Sequence, residues 1–249
     1  MATVQLTDDG NLKIEVGEPD DITTQLGKNP SSFKPYTVKT RYSGVNVYYT
    51  YVIKNNYIPP SFKNTDEFVE TLRMQAETNE FVQNYAELGA EYMSEYLKEI
   101  GLIDKNVYFV KVPTDINYLN NHYFEKFIGM SNNIIEDGIT INTDIDTEKL
   151  SISDTAPKEA KEYFSGIFRQ LNKVDAYYSF DELKIDPKNF IYLNGFIDIN
   201  TQAFQKVPEN AEIILVRDRI KNGHIIYDCI DQLSTRFNII GVSTLFRQF

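Results

Sequence analysis

The segment Ile213-Ile214-Leu215-Val216-Arg217-Asp218-Arg219-Ile220-Lys221-Asn222-Gly223-His224-Ile225 gathers groups able to hold an anion. Its apolar run predicts a buried strand from Glu212 to Val216, and Gly223 to Thr235 reads as a helix. The charged turn between them then falls at the carboxyl end of a sheet strand, where open α/β folds place ligands. A helix N-terminus adds backbone amides and the positive end of the helix dipole, which together suit phosphate. Gly223 permits a positive φ or a close backbone approach. Arg217, Arg219 and Lys221 supply cations to an acidic chain, with Asn222 and His224 beside them. Each cation also reads as a solvated turn charge, and His224 as a surface histidine. Asp218 can accept from a pair of vicinal hydroxyls, cap the following helix, or pair with Arg217 or Arg219.

A second constellation is Val110-Lys111-Val112-Pro113-Thr114-Asp115, a strand followed by a turn. Lys111, Thr114 and Asp115 can meet a pyrophosphate or a magnesium ion, or form a simple turn. Asp144, Asp146 and Glu148 alternate, which puts them on one face of an extended segment or in a solvated loop. His122 reads as structural. The lone cysteine, Cys229, excludes an intramolecular disulfide and fits a buried helical position. No Cys/His spacing suits zinc. Serine nucleophile elbow, Walker loop and Rossmann glycine fingerprint are all missing, which removes the common hydrolase, NTPase and dehydrogenase readings.

The elements that must position these groups alternate between strand and helix. Val4-Gln5-Leu6 and Leu12 to Val16 flank Asp8-Asp9-Gly10 and predict a hairpin. Gly17 to Tyr36 reads as a loop, so residues 1–36 form an appendage and residues 37–249 the main domain. Val45 to Ile53, Val107 to Val112 and Asn238 to Phe246 predict strands, with a shorter one at Phe190 to Leu193. Asp66 to Met74, Phe81 to Ile100 and Asn117 to Ile128 predict helices. In the second, Phe81, Tyr85, Leu88, Tyr92, Tyr96 and Ile100 recur as a core stripe. Asn132 to Ile135 is extended, Ile139 to Lys158 is a polar loop, and a helix then runs to about Asn172. The expected fold is α/β, a mostly parallel sheet flanked by helices.

Composition limits the partners. The chain has 249 residues, 42% hydrophobic and 24% charged, enough for one large domain with a packed core. A net charge of −11 argues against a broad nucleic-acid surface, though a local basic pocket stays possible to build. Neither a signal peptide nor a membrane span is expected, which makes the cytoplasm the default setting.

On the residues quoted, the stretch from Ala211 to Phe249 resembles the phosphosugar-binding unit of type I phosphoribosyltransferases. That family carries four apolar residues, two acids, a Thr- and Gly-rich turn, a helix and a last strand. Here the second acid falls on Asp218 and Arg217 stands at the first. Lys221 and Asn222 stand at Thr positions, Gly223 matches a family glycine, and His224 and Ile225 replace small or hydroxyl residues. Val110 to Asp115 is similar to the family's pyrophosphate turn.

The resemblance implies Asp218 on ribose hydroxyls and residues 217–224 on the 5-phosphate of phosphoribosyl pyrophosphate (PRPP). Lys111, Thr114 and Asp115 would hold pyrophosphate, with magnesium as cofactor. It implies transfer of a ribosyl group to a base, amine or hydroxyl. Loss of the first acid and both Thr positions fits the alternative, a catalytically inactive regulatory or interaction protein. Heavy use of Asn, Ile, Lys and Tyr adds the idea of a viral accessory protein. A phosphosugar or nucleotide is the expected ligand, and homo-oligomerisation is left open.

Overall fold

The computed structural model describes residues 2–7, 9–16, 36–39, 44–53, 60–103, 106–129, 131–142, 150–153, 156–171, 186, 189, 192–220 and 223–248. In chain order these form β1 (Ala2–Leu6), β2 (Leu12–Val16), β3 (Tyr36–Lys39), β4 (Gly44–Ile53), α1 (Thr65–Gln75) and α2 (Glu80–Glu99). Then come β5 (Tyr108–Lys111), α3 (Tyr118–Ile128), β6 (Ile134–Ile135), β7 (Ile139–Ile141), β8 (Ser151–Ile152) and α4 (Lys158–Leu171). The chain closes with β9 (Leu193–Asn194), β10 (Ile197–Ile199), β11 (Glu212–Ile220), α5 (His224–Leu233) and β12 (Asn238–Gln248).

The main sheet has the order β3-β4-β12-β11-β5-β6. Five strands are parallel, and only the edge strand β3 runs antiparallel, against β4. All five parallel strands therefore end on the same edge, which gathers their following turns. Both faces of the sheet are covered, as an apolar parallel sheet requires. Ile214, Val216 and Phe109 pack with α1, α2 and α3 on one face. Ile213, Leu215 and Val110 pack with α4 and α5 on the other. The alternation along β11 sends successive side chains into opposite layers. Each such aliphatic side chain, once fully buried, contributes about 1.5–3 kcal/mol.

Local signals set the helix ends. Asn64 caps α1 by accepting from the Glu67 amide, and Asn79 caps α2 by accepting from Phe81. The buried face of α2 is Val82, Tyr85, Ala86, Gly89, Ala90, Met93, Ser94, Tyr96 and Leu97. Of the aromatic stripe expected from sequence, Tyr85 and Tyr96 are buried in the core, whereas its ends Phe81 and Ile100 are exposed. Small residues face the sheet because the helix approaches closely, and a Cβ on Gly89 would collide with Leu245 and Tyr51.

The N-terminal hairpin β1–β2 is docked on the helical layer. Leu12 and Ile14 are buried in the same core as α2. Gln75 accepts from the Leu12 amide at 2.7 Å and donates to the Gly10 carbonyl at 2.8 Å, while Asn79 donates to the Leu12 carbonyl at 2.8 Å. The stretch expected as one polar loop from Ile139 contains two short strands, β7 paired with β10 and β8 paired with β9. Leu193 and Asn194 form the strand expected at Phe190 to Leu193, and Phe190 itself lies outside the described residues. No helix among the described residues is long and apolar enough to cross a membrane.

Candidate functional site

The chemistry converges on the end of β11, but not as the sequence implies. The strand does not stop at Val216: it continues through Ile220, paired with β12 as far as Arg247. Arg217, Asp218 and Arg219 are therefore strand residues. Because the ladder carries them out of the turn, pleating separates Arg217 from Asp218 onto opposite faces of the sheet. One sequence motif becomes two sites.

On the α1 face, Asp218 is completely buried and meets Arg73, which is also completely buried. Arg73 Nε donates to Asp218 Oδ2 at 2.9 Å, Nη1 to Glu70 Oε2 at 2.9 Å and Nη2 to Asp115 Oδ1 at 2.6 Å. Nη2 also donates to the Ile116 carbonyl at 3.1 Å. Arg219 joins through Glu70 Oε1 at 2.5 Å. Burial opposes the charge on Arg73, but Asp218, Asp115 and Glu70 outweigh it and its pKa is raised. Burial raises Asp218 too, against the pull of Arg73, Arg217 and Arg219. A planar fork matched to several carboxylates is the geometry that makes a buried pair tolerable. Asp218 Oδ1 accepts no hydrogen bond among the described residues.

On the α5 face the balance is different. Arg217 has Nε buried and donating to nothing among the described residues. Burial lowers its pKa, and Asp218, behind it on the next residue, only partly compensates. The groups acting on it from α5 are Cys229, whose thiol is pushed up by burial, and His224. Gly223 caps α5 at φ 73°, a left-handed conformation that suits a residue without Cβ. The cap makes no side-chain hydrogen bond, and no acid lies in the first turn to answer the dipole. His224 opens the helix against the Phe196 ring, with centroids 4.7 Å apart. Burial and then Arg217 lower its pKa to about 4, so the imidazole is neutral at physiological pH.

The α5 helix also anchors the segment above it. Asp228 Oδ2 accepts from three consecutive amides, Gly195 at 3.0 Å, Phe196 at 2.7 Å and Ile197 at 3.2 Å, and Oδ1 accepts from Gln232 at 2.9 Å. Burial raises the Asp228 pKa against those bonds. Phe196 is thereby fixed over the first turn of α5.

The turn after β5 is spent internally. The Thr114 amide donates to Asn117 Oδ1 at 2.9 Å and its hydroxyl to the Ile116 carbonyl at 2.6 Å. Burial pushes Asp115 up, but the bond and charge of Arg73 dominate and lower its pKa. Lys111 Nζ lies over the Phe124 ring, 5.6 Å from its centroid. Asp115 and Asp218, the carboxylates at this edge, face the Arg73 guanidinium, and no group of three metal-ligating side chains exists among the described residues. Lys221, Asn222, Asp144, Asp146 and Glu148 lie outside the described residues. His122 is half-buried on α3, with Nδ1 3.8 Å from Glu87.

Arg73, Glu70 and Asp228 were not singled out by sequence reasoning. Arg73 had a signal: it occupies the buried repeat of α1 with Phe68, Val69 and Leu72, where a cation demands an acidic partner. Asp228 stands between the apolar Ile226 and Cys229 of a short helix, the same kind of signal. Comparison with known proteins gives no match, either to a family model or to a curated protein.

Proposed function

We propose that this chain is a divergent phosphoribosyltransferase-like protein that binds a phosphosugar or nucleotide by its phosphate, at the first turn of α5, without transferring the sugar. The observation that carries this reading is Arg217. Its buried Nε finds no acceptor among the described residues, and an unsatisfied buried donor costs about 1–3 kcal/mol. Beside it a helix N-terminus with a glycine cap lacks any acidic residue in its first turn. A phosphate placed between them would satisfy both. The absence of transfer is supported by the other face, where Arg73 already engages Asp218 and Asp115.

Transfer chemistry is favoured by one observation, the unengaged Oδ1 of Asp218, which can accept a hydroxyl proton. Thermal unfolding with inorganic phosphate, ribose 5-phosphate and nucleoside monophosphates separates the readings. Binding raises the melting temperature with ligand concentration. The proposal expects this rise in wild type and its retention in Asp218→Asn. A response that vanishes in Asp218→Asn, with pyrophosphate released from PRPP on adding base or amine acceptors, would support transfer instead. No response to any phosphate compound would leave an interaction module.

A further inference from the structure

We propose that residues 194–197 form a strap that closes the α5 site, and that a phosphate compound reaches Arg217 when the strap lifts off Asp228. This rests on the α5 reading above and adds how access to that site is controlled.

The strap lies on the stretch of helix that Arg217 faces. Phe196 packs its ring on His224, the first residue of α5, with centroids 4.7 Å apart. Arg217 acts electrostatically on that same imidazole and on Cys229, and Cys229 also feels Asp228. The groups that hold the strap and the groups that face Arg217 therefore share His224 to Cys229 of α5. Both partners are closed to solvent: Phe196 is 1% exposed and Arg217 Nε is buried. A phosphate seated between Nε and the first turn of α5 comes up against the His224 side chain, and with it against Phe196.

The strap is held along both backbone edges. On the amide edge, Gly195, Phe196 and Ile197 all donate to Asp228 Oδ2. On the carbonyl edge, Asn142 Nδ2 donates to the Gly195 carbonyl at 3.1 Å and the Asn142 amide to the Phe196 carbonyl at 2.9 Å. Asn194 Nδ2 adds a bond to Asp231 Oδ2 at 3.2 Å. The flanking strands β9 and β10 pair with β8 and β7, outside the six-stranded sheet, so lifting the strap unpairs no rung of that sheet. Gly195 supplies the pivot. Its φ of 108° is a conformation that side chains with a Cβ rarely adopt. Hinges are such element-terminal residues, able to absorb a large backbone change.

Closure sets the affinity that is measured. A ligand that binds only open chains has its apparent affinity reduced by the fraction that is open. Weakening the closed strap, with Arg217 and the first turn of α5 untouched, should therefore tighten binding.

The test combines amide hydrogen exchange with calorimetric titration of the full chain by ribose 5-phosphate. In wild type, saturating ribose 5-phosphate should speed exchange at Gly195, Phe196 and Ile197, the reverse of the protection that a simple contact gives. Gly195→Ala puts a side chain at a positive φ and keeps Asp228, His224 and Arg217, so it should bind ribose 5-phosphate about fivefold tighter or more. Asn142→Ala releases the carbonyl edge, changes no charge, and carries the same test if Gly195→Ala fails to fold. Slower exchange at the three amides on binding, or unchanged affinity in the folded variant, would overturn the strap and leave the α5 reading standing. Failure of ribose 5-phosphate to bind either wild type or variant would remove the α5 reading, and the strap with it.

Discussion

The two faces at the end of β11 carry the same kind of residue in opposite circumstances. Arg73 is buried with three carboxylates and a carbonyl around its guanidinium. Arg217 faces α5 with Nε donating to nothing among the described residues. The first guanidinium is answered within the fold, and the second is the one the proposed phosphate would answer. The difference arises because Glu70 of α1, Asp115 after β5 and Asp218 of β11 converge on Arg73, whereas the first turn of α5 brings no acid to Arg217. A single residue of strand register decides which circumstance each side chain meets.

The largest expected effect comes from breaking the satisfied face. Arg73→Met leaves Asp218 buried without its partner and should cost about 3–5 kcal/mol in urea unfolding. Replacing both groups, Arg73→Met with Asp218→Leu, should regain much of that loss, since the penalty comes from the stranded charge. If the single variant unfolds like wild type, the cluster does not hold the strand ends together.

The next effect belongs to pH. His224 has its pKa lowered to about 4 in the fold, from 6.5 when unperturbed. Below about pH 6.5 the unfolded chain takes up a proton that the native imidazole refuses, so stability falls as pH drops towards 4. The full contribution reaches about 3 kcal/mol. Asp218 and Asp228, with raised pKa values, act in the opposite sense. The wild-type curve mixes these, so the measurement is the difference from His224→Gln. That variant should gain on wild type steadily as pH falls from 7 to 4, and parallel curves would refute the assignment.

A smaller loss is expected where α5 holds the segment above it. Asp228→Ala leaves the amides of Gly195, Phe196 and Ile197 without their acceptor and should cost about 1–3 kcal/mol. Hydrogen exchange should accelerate at those amides first. Uniform exchange across the chain would show that the carboxylate anchors nothing local.

Much of this fold is legible in the residues. Apolar β-branched runs gave β4, β5, β11 and β12, and their alternation with helices gave a parallel sheet. The end of β11 was not legible, because Arg217 to Ile220 look like a turn until β12 supplies a pairing edge for them. Charged residues are poor strand formers by composition, and only the neighbour reverses that preference. The Arg73–Asp218 pair joins residues 145 apart in sequence, so nothing local announces it. The aromatic stripe of α2 held in its middle, where Tyr85 stacks on Tyr51 of β4 and Tyr96 is buried, and failed at its ends, because the closest approach to the sheet is made by Gly89. Gly223, by contrast, declared its role, since a left-handed cap before a helix is what glycine does best.

The central claim is that Arg217 is kept for an anionic ligand. It is tested most directly by melting wild type and Arg217→Met with and without ribose 5-phosphate. Removing a guanidinium whose buried Nε has no acceptor among the described residues should leave the ligand-free variant as stable as wild type or up to about 1 kcal/mol more so, while the ligand-induced rise disappears. A variant that melts lower without ligand and still responds to ribose 5-phosphate would contradict it.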